Sequence, residues 1–171
     1  MSVFASILGF FLVHGAAVAD MATQCPINYP TDRLLGPDYP ASGNWFGSDE
    51  LAVNLPNYGI WSVTKKDHLI AIKLFWRSAG FEPGMEKGLD VSVRNVNDPV
   101  HTAVVTPPTN AYAPDLGGWA MLVGIDFPGT GCWEITGTYE EQTLSFVVQT
   151  VEVDEYKRIV KELAGSSKAS D

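Results

Sequence analysis

Five tryptophans, two cysteines and three histidines are the residues of this 171-residue chain whose chemistry goes beyond packing and solvation. The cysteines, Cys25 and Cys132, are distant in sequence and form no C-x-x-C pair, so neither a redox motif nor a zinc-thiolate motif is indicated. An even count in an exported chain points to a disulfide; two free thiols, or Cys132 as a small core residue, is the competing reading. Nucleophilic hydrolysis needs a Ser or Cys beside a His that a carboxylate orients. His68 opens an apolar run, His101 follows a turn, and no G-x-S-x-G elbow is present, so both read as strand-end residues. Asn95, Asn97 and Asp98 offer oxygen ligands but lack an EF-hand pattern, and no H-x-H occurs; they read as turn formers, and no metal or cofactor is assigned. Asp90, Asp126 and Glu134 fall on expected strands, where only three-dimensional separation would decide a hydrolytic pair. Gly129-Thr130-Gly131 lacks the Lys of a phosphate loop and reads as a connector.

The aromatics remain. Exposed Trp and Tyr side chains on a β-sheet stack on sugar rings or anchor a protein partner. Trp45, Trp61, Trp76 and Trp119 are the candidates for ligand binding, against a core role for each. Trp45 beside Phe46 in a Gly-rich segment, and Trp119 beside Gly117-Gly118, are the foremost. Trp133 is expected to point opposite to Cys132 on a regular strand.

Charge narrows the partners. The formal net charge is −9, and no charged residue precedes Asp20. Nucleic acid and anionic lipid both demand clustered Lys and Arg, so neither is an expected partner. A protein or a glycan is.

Before Asp20, residues Val3 to Val13 are almost wholly apolar and too few to span a bilayer. Ala17-Val18-Ala19 then supplies the small residues of a signal-peptidase site, so 1–19 is expected to be a secretory signal. Met1-Ser2 carries no Lys or Arg, and an uncleaved anchor or a buried apolar strand compete with that reading. Ala22-Thr23-Gln24 before Cys25 does not form a lipobox. The expected location is outside the cytoplasm, secreted or at the cell envelope, with no membrane insertion once the signal is gone.

The elements that position these residues follow from turn chemistry and periodicity. Residues 20–50 are rich in Pro, Gly, Asn and Asp and predict an extended arm. From Leu51 the pattern turns to strands. Leu51–Leu55 and Gly59–Thr64 flank Pro56-Asn57-Tyr58-Gly59, which predicts a hairpin. His68–Trp76, Leu89–Asn95, His101–Val105, Trp119–Phe127, Cys132–Thr138 and Leu144–Val153 complete about eight strands. Arg77–Lys87 and Thr106–Gly118 read as loops. After Asp154, Tyr156, Ile159, Val160 and Leu163 fall on one face of a short helix, with Gly165 as its stop. The expected organisation is a signal (1–19), an arm (20–50), a β-sandwich (51–153), and a helix with a tail (154–171).

Gly131-Cys132-Trp133-Glu134-Ile135-Thr136-Gly137, the following Leu144-Ser145-Phe146-Val147-Val148, the dipeptide Cys25-Pro26 and the stretch Leu74-Phe75-Trp76-Arg77 resemble uncharacterised bacterial secreted proteins with an N-terminal Cys-Pro and a C-terminal G-C-W-E-[IV]-T-G hairpin. The resemblance is loose over the chain from Asp20 and good over the hairpin. It implies an all-β, antiparallel immunoglobulin-like β-sandwich with Cys25 and Cys132 paired. It implies no activity, and the C-terminal helix departs from it. The expected function is a non-catalytic secreted module that binds a partner or ligand. A carbohydrate-binding module and a small carboxylate-pair hydrolase are the alternatives.

Overall fold

The computed structural model describes residues 25–28, 44–63 and 70–167. The expected signal segment, most of the arm, His68 and the last four residues lie outside them. The described chain forms an all-β sandwich of two sheets followed by one helix.

The first sheet is built from β1 (Trp45–Gly47), β2 (Ala52–Asn54), β4 (Ile70–Arg77), β8 (Gly118–Phe127) and β6 (Val104–Val105), in that order, with β7 (Thr109–Ala113) also paired to β8. The second sheet has the order β3 (Ile60–Val63), β10 (Gln142–Glu152), β9 (Gly131–Tyr139), β5 (Leu89–Asn95). Every pairing is antiparallel except β3 with β10.

Period-2 alternation sets the faces. On β8, Met121, Val123, Ile125 and Phe127 point inward; on β9, Trp133, Ile135 and Tyr139 do so, and on β10, Phe146 and Val148. These meet Leu74 and Trp76 of β4 in one core. The two sheets are in tight contact where the Trp76 ring lies over Gly137. A Cβ at Gly137 would stand 2.5 Å from Trp76 ring carbons, so only glycine fits beneath that ring. Two aromatic groups flank this point: Phe46, Trp76 and Phe146 in one, Trp61, Phe127 and Trp133 in the other. The Trp133 indole N–H donates to the Thr150 hydroxyl at 2.9 Å, and that hydroxyl donates to the Gly129 carbonyl at 2.7 Å. A buried polar group is thus satisfied inside an apolar layer.

Four expectations are corrected. Leu51–Leu55 and Gly59–Thr64 do not make a hairpin: β2 joins the first sheet and β3 the second. The Pro56–Gly59 segment is a 3-10 turn that carries the chain across the end of the sandwich. The Trp61 indole N–H, bonded to the Pro56 carbonyl at 2.8 Å, locks it there. Thr106–Gly118 is not all loop, because Thr109–Ala113 is a full strand on β8; Pro108 and Pro114 flank that strand without interrupting its ladder. Of the expected strand His101–Val105, only Val104–Val105 is strand, with an isolated bridge from Thr102 to Arg94. The sandwich also begins at Trp45, ahead of residue 51.

Cys25 and Cys132 are disulfide-bonded, with their Cα atoms 5.5 Å apart and 107 residues between them in sequence. The bond fastens the first described segment to β9. Asn28 completes the docking: its amide donates to the Val147 carbonyl at 3.0 Å, and its side-chain oxygen accepts from the Val147 amide at 2.6 Å. Closing so long a loop lowers the entropy of the unfolded chain and stabilises the fold by about 2–5 kcal/mol. The helix α1 (Val153–Ser167) follows β10 directly and packs on β3 and β10. Asp154 and Glu155 suit its electropositive first turn. The helix continues through Gly165, the expected stop.

Candidate functional site

Of the four candidate tryptophans, the structure buries three. Trp61 packs on Phe127, its ring centroid 5.7 Å away. Trp76 is sealed between Phe146 and Gly137. Trp45, expected to be exposed, packs with Ala52, Phe75 and Leu116 in a second small apolar cluster. These three are corrected from binding candidates to packing residues, because no ring face is left to a ligand. Trp119 is different: 45% of it is exposed.

Trp119 owes its exposure to the hairpin that carries it. Residues Pro114–Leu116 form a 3-10 turn, closed by the Gly117 amide donating to the Pro114 carbonyl at 3.1 Å. Gly117 and Gly118 then take φ values of 90° and 113°, which L side chains rarely adopt. Trp119 therefore emerges at the start of β8, before the strand enters the sandwich. Directly across the ladder stands Tyr112 of β7, 62% exposed. The two rings are 5.3 Å apart, centroid to centroid, with planes tilted by 59°.

Two residues back along β7, on the same side, is Asn110. Its side-chain amide donates to the Glu86 carboxylate at 3.3 Å. The Gly84 amide donates to the same carboxylate oxygen at 2.8 Å. Hydrogen bonding from the Glu86 backbone, then from Asn110, holds the Glu86 carboxyl below the ordinary carboxylate range. Met85 beside it is 42% exposed. The hairpin thus presents two rings, and Asn110 ties it to a fixed carboxylate, next in sequence to the exposed Met85.

The other sequence candidates are not brought together. Asp90 and Glu134 share the outer face of the second sheet, but Glu134 is opposite Arg94, four residues from Asp90 on β5. That is roughly 13 Å along the strand, beyond the separation of about 5–10 Å at which carboxylate pairs hydrolyse glycosides. Glu134 is ion-paired to Arg94, and Asp126 belongs to the other sheet. The His101 Nδ1 sits 2.8 Å from the Asp98 carboxylate, and both side chains are exposed; among the described residues no hydroxyl or thiol is bonded to that ring. Asn95 Oδ1 accepts the amides of Asn97 and Asp98 at 2.9 and 3.0 Å, as expected of a turn former. No cluster of three or more His, Cys, Asp or Glu able to hold a metal occurs among the described residues.

Sequence reasoning missed Tyr112, Asn110 and Glu86. Tyr112 carried a signal: in Thr109-Asn110-Ala111-Tyr112-Ala113 it alternates with small residues between two prolines. Glu86 carried none, because its role depends on a loop meeting a hairpin 24 residues away.

No family model matches the chain, and no curated protein matches it. A solved structure described as the ZirS C-terminal domain is similar over 88% of this chain and 83% of its own length, with 10% identity and a TM-score of 0.32. That likeness carries no argument about function.

Proposed function

We propose that this chain is a secreted, non-catalytic sandwich module of immunoglobulin-like type, which binds a partner at the cell envelope through the β7–β8 hairpin. The observation that carries the reading is the Tyr112–Trp119 pair. Four of the five tryptophans are buried, while this one stands opposite a second exposed ring. Exposing two large aromatics forgoes about 1.5–3 kcal/mol of burial for each, an arrangement expected where a partner supplies the cover.

Location outside the cytoplasm draws support from the disulfide, a bond that persists in oxidising compartments. No helix among the described residues is long and apolar enough to cross a membrane. The carbohydrate-module alternative has less support: a flat sugar chain calls for several coplanar rings, whereas the hairpin offers two tilted by 59°.

The test compares ligand capture by the wild-type protein and two variants, in a glycan screen and a pull-down from envelope extract. Trp119→Ala is expected to abolish capture. Ser145→Ala, on the outer face of the second sheet, is expected to leave it intact. A ligand captured equally by Trp119→Ala would refute the hairpin as the contact.

A further inference from the structure

We infer that the Tyr112–Trp119 pair receives a lysine or arginine side chain from a basic segment of a protein partner. This rests on the binding reading and names the ligand's chemistry. Three observations carry it. Ring faces attract cations, most strongly those of tryptophan and tyrosine, and here two meet at 59°, with Tyr112 62% and Trp119 45% exposed. Two rings tilted to each other suit a compact charged group better than a flat sugar.

The second observation is the carboxylate. Glu86 is held by Asn110, two residues from Tyr112 on the same side of β7, and by the Gly84 amide. A cation seated on the rings has a counter-charge within reach along the same surface. The third is the net charge of −9, which draws a basic partner and repels an acidic one. Exposed Met85 beside Glu86 extends the contact with a soft apolar group, suited to the aliphatic stem of a lysine or to a neighbouring residue of the segment.

The experiment titrates the full exported protein with a short alternating lysine–glycine peptide, with its norleucine–glycine counterpart, and with a neutral oligosaccharide, by calorimetry. The lysine peptide is expected to bind, and the norleucine peptide roughly ten-fold more weakly. Trp119→Ala and Tyr112→Ala should each weaken the lysine peptide by a similar factor. Glu86→Gln should weaken it several-fold and reduce its salt dependence. Asp90→Asn, which removes the same charge from the outer face of the second sheet, should leave affinity unchanged. Equal losses from Glu86→Gln and Asp90→Asn would show diffuse attraction and overturn the inference. No peptide binding, with the oligosaccharide bound in a Trp119-dependent manner, would overturn it while leaving the module reading in place. Binding of neither probe would also overturn it; the capture comparison under Proposed function then decides the module reading separately. Melting temperatures of all variants confirm folding.

Discussion

Trp76 and Trp119 lie on adjacent strands of the same sheet, yet their surroundings are opposite. Trp76 is pressed on Gly137 of the facing sheet and leaves no room for one added carbon. Trp119 faces Tyr112 and water. The difference comes from position along the ladder. Trp76 pairs with Met121, inside the sandwich. Trp119 pairs with Tyr112 next to the turn that joins β7 to β8, where both rings are exposed. Identical chemistry is therefore sealed in the core in one place and left exposed in the other.

The contrast breaks down if mutations at the two places have similar effects. The largest loss is expected at the inter-sheet contact: Trp76→Ala should cost about 3–5 kcal/mol in urea unfolding. Gly137→Val should cost about 3 kcal/mol, because the tryptophan ring must move. Replacing both cysteines by alanine should cost about 2–5 kcal/mol, measured the same way, by releasing the arm from β9. Thr150→Val removes the acceptor of the buried Trp133 N–H and should cost about 1–3 kcal/mol. The Tyr139 hydroxyl is buried with no hydrogen-bond partner among the described residues; Tyr139→Phe should be neutral or stabilising by about 1 kcal/mol. Smallest of all, Trp119→Ala should change stability by no more than about 0.5 kcal/mol, while removing ligand capture.

How much of this was legible in sequence depended on whether local pattern matched the fold. β5 and β9 were readable because Leu89–Asn95 and Cys132–Thr138 alternate along half-buried strands. The disulfide partners were readable because there are only two cysteines. The β2–β3 connection was not, since a turn signature gives the bend but not the sheet that the next strand joins. β7 was hidden by the prolines at its borders, and with it Tyr112. Tryptophan exposure was legible only at Trp119, where paired glycines marked the hairpin end. Trp45 stands in equally Gly-rich sequence, yet the ring folds onto Ala52 and Phe75, contacts set by tertiary packing alone.

Fluorine NMR of fluorotryptophan-labelled protein, assigned with Trp→Phe variants, tests the central claim most directly. Of the five indole signals, the one from Trp119 should alone respond strongly to exchange of water for heavy water. The same signal should alone shift when the lysine peptide is added. A solvent-sensitive signal from Trp45, Trp61 or Trp76, or a Trp119 signal indifferent to both treatments, would contradict the division between packing and recognition.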